Sequence, residues 1–301
     1  MSHFFGIDIG GSNVKIGLVD SEEGIINKVK HPTIDLRENG GFVDNFINVL
    51  KSEFEKFPEV EEIGIGVPGT ISLDGRSTLE LPNLEDLDNT ALVDALESFF
   101  QGKSFYLEND AHVAALGEYY FGTEKLPENY VFITLGTGVG AAAIINKKVF
   151  KGGDGNAMEL GHIMSHNGKE LEHIIGKAGL TDMVNRYLKK SKNSLLGANL
   201  SSWDTKTLVS AAQDKDKVAL KIFKKIGLFL GEALVSTIRL LDIKTIIVGG
   251  GISQSYDFVY KPMKKVLVNN LTPYYTDKLE IKKASLGNNA GILGAAALCF
   301  K

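Results

Sequence analysis

Two segments of this chain repeat one pattern of an apolar strand, a turn of small residues and a second apolar strand. The first runs Ile7, Asp8, Ile9, Gly10, Gly11, Ser12 and continues to Gly17, Leu18 and Val19. The second runs Ile133, Thr134, Leu135, Gly136, Thr137, Gly138, then Gly140 and the apolar stretch 141–145. A constant offset of 126 residues places Gly10 on Gly136 and Val19 on Ile145. Consecutive glycines let a backbone curl until several N–H groups aim at one spot, which is what a phosphate needs. Ser12 and Thr137 add hydroxyl donors. One such turn alone reads equally well as an ordinary β-hairpin. Two at a fixed offset favour a polyphosphate gripped from both sides. The chain has no G-x-x-x-x-G-K-[ST] run, and the spacing at 136–140 does not fit G-x-G-x-x-G.

Other residues could complete the chemistry. Asp8 ends the first strand beside its turn. A carboxylate there repels phosphate unless a cation lies between, so Asp8 is a candidate Mg²⁺ partner, directly or through water. Bonding the turn's own N–H groups is its alternative role. Glu108-Asn109-Asp110 lies where a strand meets a helix. Asp110 is placed to take the proton of an attacking hydroxyl, yet Asp and Asn are also favoured N-caps. Asn109 offers an amide to a sugar hydroxyl. Glu159 and His162, with Glu172, form an acceptor-rich set suited to a polyol, or simply polar surface around a packed histidine. A metal reading of His162, His166 and His173 is weaker, because their spacing matches no common zinc signature. Gly249, Gly250 and Gly251 follow a buried strand and read as a nucleotide floor or as a plain strand-to-helix turn.

These residues need elements to hold them. Strand patterns at 4–8, 14–19, 63–67, 105–107, 130–135, 141–145, 148–150, 245–248 and 279–282 alternate with helix patterns. The helices read at 43–54, 90–100, 111–121, 181–190, 205–213, 217–241, 258–267 and 289–300, with a glycine-rich loop at 151–156. This is an α/β chain. Its 301 residues suggest two domains, divided near 109–111. The alanine-rich last helix calls for a close-packed partner. With 33 basic and 37 acidic residues the net charge is −4, and no basic stripe points to nucleic acid or a membrane surface. Phosphate would therefore be held by backbone N–H groups, helix N-termini and a metal ion rather than by a cluster of Lys and Arg. Cys299 is the only cysteine, which excludes an internal disulfide and any multi-cysteine metal site. No charged and apolar leader and no apolar run of membrane length occur, so a cytoplasmic location is expected.

D-I-G-G-S at 8–12, G-V-P-G at 66–69, P-N-L at 82–84, E-N-D-A at 108–111, L-G-T-G-V-G at 135–140, E-L-G-H at 159–162, V-G-G-G at 248–251 and N-A-G-I-L-G-A at 289–295 occur in that order. As a set they resemble the ROK family of sugar kinases and repressors, within the actin-like ATPase superfamily. The resemblance implies two actin-like (ribonuclease H-like) domains flanking a cleft, 1–110 plus 289–301 and 111–288. It implies ATP with Mg²⁺, a homodimer, and transfer to the 6-hydroxyl of a hexose, glucose first. Asp110 then matches the general base and Asn109 its sugar-holding neighbour. Gly69, Asn83, Glu159, His162 and Glu172 fall at sugar-contacting positions. Asp8, Gly10, Gly11, Ser12, Gly136, Thr137 and Gly138 match the phosphate loops, and Gly249, Gly250 and Gly251 lie near the adenosine site.

The chain also departs from the family pattern. Many members carry C-x-C-G-x-x-G-C after the G-H pair, whereas residues 165–171 here read S-H-N-G-K-E-L. Zinc is therefore expected to be absent. Asn13 stands where many members have Lys, with Lys15 two positions later, and Asn288-Asn289 replaces a more acidic pair. The G-G-S-x-[IV]-K pattern and the G-K-E segment are similar to those of polyphosphate-using glucokinases of the family. N-acetylmannosamine kinase and fructokinase are further alternatives within it. From other classes come a transcriptional repressor, disfavoured because the first strand starts almost at Met1, and a non-catalytic sugar-binding regulator, disfavoured by Asp110 and the paired turns.

Overall fold

The computed structural model describes residues 2–38, 40–136, 138–191, 193–199, 204–251 and 255–300. The chain opens as a meander, β1 (His3–Ile9), β2 (Asn13–Asp20) and β3 (Gly24–Pro32). Next come α1 (Thr33–Leu36), α2 (Phe42–Phe54), β4 (Glu62–Val67), β5 (Thr70–Ile71), β6 (Thr78–Glu80), α3 (Leu92–Phe99), β7 (Ser104–Asn109) and α4 (Asp110–Phe121). A second meander follows, β8 (Tyr130–Leu135), β9 (Val139–Ile145) and β10 (Lys148–Val149). After it come α5 (Leu171–Ile175), α6 (Lys177–Leu188), α7 (Thr205–Gln213), α8 (Lys217–Leu241), β11 (Thr245–Gly249), α9 (Tyr256–Asn270), α10 (Pro273–Thr276), β12 (Glu280–Lys283) and α11 (Ala290–Ala297).

The repeated sequence pattern is a repeated topology. One five-stranded sheet runs β3-β2-β1-β4-β7 and the other β10-β9-β8-β11-β12. In each, the opening hairpin is antiparallel, β1 with β2 and β8 with β9. In each, the later strands join in parallel, β1–β4–β7 and β8–β11–β12. The first strand of each repeat is thus central in its sheet, which explains its largely apolar character. Phe5, Ile7 and Ile9 are buried, as are Val131, Ile133 and Leu135.

Residues 1–126, 148–157 and 288–301 form one compact unit, and 127–147 with 158–287 form the other. The sequence reading starts the second domain at 111, whereas α4 clusters with the first unit. In that unit α2 buries Phe42, Phe46, Leu50 and Phe54, one stripe at four-residue spacing. In the second unit α8 is started by Asp216, whose carboxylate accepts from Val218 N at 2.8 Å and Ala219 N at 2.9 Å. Its buried stripe includes Ile222, Ile226, Leu230, Leu234 and Ile238.

The close partner of the alanine-rich helix is now defined. α11 lies against β1, β4 and α4 at backbone distance. A Cβ on Gly6 would overlap the Ile292 carbonyl oxygen, and one on Gly64 the Ala295 carbonyl oxygen. A Cβ on Gly294 would overlap the Val113 carbonyl oxygen of α4. The strand glycines and helix alanines are two halves of one packing solution.

Candidate active site

In the first unit the β1–β2 turn is closed by Gly10 N donating to Asn13 O at 3.0 Å. Thr33, at the start of α1, pins it from outside. Its hydroxyl donates to Gly10 O at 2.6 Å and its N–H to Ser12 O at 3.0 Å. Gly11 and Ser12 stay exposed. Asp8 pairs directly with Lys15 across the hairpin, and its Oδ2 accepts from Lys15 Nζ at 2.6 Å. The first turn of α11 backs onto the same carboxylate: a Cβ on Gly291 would come 2.7 Å from Asp8 Cγ. An ammonium and a helix N-terminus thus both face Asp8. Thr33 has no signal in the sequence, and the sequence marks Lys15 only by its place in the G-G-S-x-[IV]-K pattern, not as a partner of Asp8. An ion pair across a hairpin shows only once the register is known.

The β7–α4 junction settles which residue caps the helix. Asn109 is the cap: Oδ1 accepts from Ala111 N at 2.8 Å and from His112 N at 3.3 Å. Its Nδ2 donates to Gly69 O at 2.9 Å. Gly69 has a φ of 86°, a conformation that suits glycine, and an added Cβ would lie 2.7 Å from Pro82 Cδ. Asn83 follows with a φ of 67°, and its Cβ lies 3.2 Å from where a Cβ on Gly11 would stand. The chain of neighbours Gly11, Asn83, Pro82, Gly69 and Asn109 therefore links the first glycine turn to the start of α4. Asp110 is the first residue of that helix and is half-buried.

Glu108 was silent in the sequence beyond its place in E-N-D. It is 2% exposed and fully engaged. Oε1 accepts from Asn109 N at 2.9 Å and pairs with His112 Nδ1 at 3.0 Å, and Oε2 pairs with Lys151 Nζ at 2.7 Å. Burial pushes this carboxyl up, but the bonds from His112, Lys151 and Asn109 N–H outweigh it and leave it below the usual range. Lys151 opens the glycine-rich loop. Asn156, near its end, accepts from Ile71 N at 3.0 Å and donates to Ile71 O at 3.1 Å. The loop is thereby fastened at both ends.

In the second unit Gly136 N donates to Gly138 O at 3.0 Å, closing the β8–β9 turn. Thr137 lies outside the described residues. Glu172, on α5, seals this turn: Oε2 accepts from Val139 N at 2.8 Å, and a Cβ on Gly138 would overlap that same oxygen. Gly161 lies so close that its Cβ would overlap Val139 O. Gly161 belongs to the tight helical turn Leu160–His162, so the E-L-G-H segment packs on the glycine turn. His162 Nδ1 donates to Glu170 Oε2 at 2.9 Å, and Nε2 is 3.9 Å from Glu159 Oε2. The Glu170 bond raises the His162 pKa above its ordinary value, aided by Glu159 and Glu172 against a smaller opposing effect of burial. The run 249–251 abuts the end of β8: Gly249 pairs with Thr134, and a Cβ on Gly250 would lie 2.5 Å from Thr134 Oγ1. Among the described residues no three His, Cys, Asp or Glu are grouped to hold a metal, and His166 instead packs on Phe229 at 5.5 Å.

A sequence profile of the ROK family matches residues 4–301. The chain belongs to the ROK family. Within that family it stands with the sugar kinases, and its fold is the two-domain actin-like one. This ROK protein is 31% identical to a glucokinase of Thermotoga maritima over 97% of this chain and 96% of that one. It is 28% identical to an N-acetyl-D-glucosamine kinase of Histophilus somni over 98% of both. Among solved structures, a ROK glucokinase from Streptomyces griseus in complex with glucose and AMPPNP superposes with a TM-score of 0.82 at 31% identity, covering 99% of each chain.

Proposed function

We propose that this ROK kinase transfers the terminal phosphoryl group of ATP to the 6-hydroxyl of a hexose, glucose first. One observation carries the reading: Asp110 is a half-buried carboxylate in the first turn of α4, directly after Asn109, which caps that helix and holds the Gly69 carbonyl. Asp110 accepts the hydroxyl proton as that oxygen attacks phosphorus, an effect worth roughly 10²–10⁴-fold. Gly69, Asn83, Asn109, Glu159, His162 and Glu172 are the proposed sugar contacts. The N–H groups at Gly10, Gly11 and Ser12, and at Gly136, Thr137 and Gly138, hold the phosphates, and Gly249, Gly250 and Gly251 lie against the nucleoside.

The donor set fits a phosphate-bound Mg²⁺, which needs only one or two carboxylates beside phosphate and water. Asp8 is the residue that would hold it, directly or through water, beside the Lys15 ammonium that pairs with its Oδ2. The metal would neutralise charge on the transferring group. The remaining proposals are a homodimer and a cytoplasmic location. No helix among the described residues is long and apolar enough to cross a membrane.

A second reading concerns the donor. The unit formed by 127–147 and 158–287 contains 21 Lys and Arg against 13 Asp and Glu, a net +8. The other unit contains 12 against 24, a net −12. The basic unit carries the second glycine turn, and its excess charge suits a longer polyphosphate chain as donor.

The deciding experiment is a coupled assay crossing glucose, fructose, mannose, N-acetylglucosamine and N-acetylmannosamine with ATP and polyphosphate. Glucose with ATP should give the highest kcat/KM. Phosphorylation of none of these sugars would overturn the proposal.

A further inference from the structure

We propose that Glu170 is a positioning residue for the sugar, fixing the His162 ring so that its Nε2 edge is the one presented to the acceptor. This rests on the reading of His162 as a sugar contact. Residues 163–171 fold back as a small hairpin. Ser165 N donates to Lys169 O at 2.8 Å, Leu171 N donates to Ile163 O at 3.0 Å, and Met164 bridges Glu170. Asn167 and Gly168 turn the tip with φ of 58° and 67°. His162 flanks one base of this hairpin and Glu170 the other, and their 2.9 Å hydrogen bond closes it.

The next two residues show why Glu170 is held in place. Leu171 is completely buried in the core of this unit. Glu172 then reaches back to Val139 N at the second glycine turn. Buried leucine, glycine turn and hairpin base therefore fix one three-residue stretch, and Glu170 has little freedom to leave His162. With Nδ1 donating to Glu170, Nε2 is the ring atom left for a ligand. It accepts a hydroxyl proton when the ring is neutral and donates when it is charged. The charged groups around the ring are Glu159, Glu170 and Glu172, with His173 Nδ1 3.8 Å from Glu170. A carboxylate of the chain itself thus orients this histidine in a segment that lacks the cysteine signature of many relatives.

The test compares Glu170→Ala, Glu170→Gln and His162→Ala in the full-length protein. It reads kcat, the separate KM values for glucose and ATP, melting temperature, and the His162 titration by NMR. Losing a charge-assisted hydrogen bond should raise the glucose KM on the order of tenfold in Glu170→Ala. The ATP KM should hold within about twofold by the same argument. Glu170→Gln keeps an acceptor oxygen and should recover part of the glucose affinity. In both variants the His162 titration should move to lower pH. An unchanged glucose KM in Glu170→Ala alongside a raised one in His162→Ala would overturn the positioning role while leaving the sugar contact standing. If His162→Ala also leaves the glucose KM unchanged, the sugar-contact reading fails first. Equal loss for glucose and ATP with a lowered melting temperature in Glu170→Ala would assign Glu170 to loop folding alone.

Discussion

Asp110 and Glu108 stand two residues apart and differ in exposure, Glu108 buried and Asp110 half-buried. Glu108 faces inward, where His112, Lys151 and a backbone N–H occupy it. Asp110 begins α4 with the cap already taken by Asn109. Asp110→Asn should lower kcat by roughly 10²–10⁴-fold with the melting temperature nearly unchanged, and turnover near the parent's would remove it from the chemistry. Glu108 has an acid-side consequence. Its folded pKa lies below the unfolded reference of 4.5, so its stabilising contribution is complete above that value and is lost as pH falls through the lower, folded one. Thermal melts should show wild type above Glu108→Gln at neutral pH, with the gap closing on acidification. His162 has the reverse sign: its raised pKa makes the His162–Glu170 contribution complete below the ordinary 6.5 and lost as pH rises through the folded value. The side chain of His162 is 56% exposed, so this second effect is small.

At the scale of elements, α11 shows how much composition reveals. Four alanines and two glycines in eight residues predict close approach, and the structure supplies the surfaces. Gly64→Ala drives a methyl into the Ala295 carbonyl and should cost at least about 1–3 kcal/mol, read as a lowered denaturation midpoint. β3 was missed because its residues include Lys28, Lys30 and His31 and its outer half is exposed, so it lacks the apolar signal of an inner strand. The short β5, β6, α1, α5 and α10 were missed for want of length, since two to five residues cannot establish a period. The hairpin turn after β9 was also hidden: Asn146 and Lys147 adopt φ of 53° and 67° where Asn-Gly is the usual signal.

At the scale of the whole molecule, the 126-residue offset proves to relate the opening hairpins of two sheets that share one strand order, while the later strands follow at wider spacing. The charge imbalance between the units, −12 against +8, makes a prediction about the donor. If the basic unit binds a long polyanion, polyphosphate should support glucose phosphorylation with a KM that rises steeply between low and physiological salt. ATP should show a weaker salt dependence. Failure of polyphosphate to support turnover at any ionic strength would remove the second reading and leave ATP.

The sequence alone determined the α/β class, the duplicated strand–turn–strand unit and the family, because strand period, glycine runs and ordered motifs are local properties of a chain. It also named Asp110, Asn109 and the E-L-G-H segment, with the glycine turns, as candidates. Only the tertiary structure decided what each is bonded to. Asn109 rather than Asp110 caps α4, Lys15 meets Asp8 through strand register, Thr33 pins the first turn, and Glu172 seals the second. Glu170 reaches His162 across a hairpin, over eight positions of sequence. These contacts join residues by folding rather than by spacing, and hydrogen-bond partners that distant leave no periodic trace in a sequence.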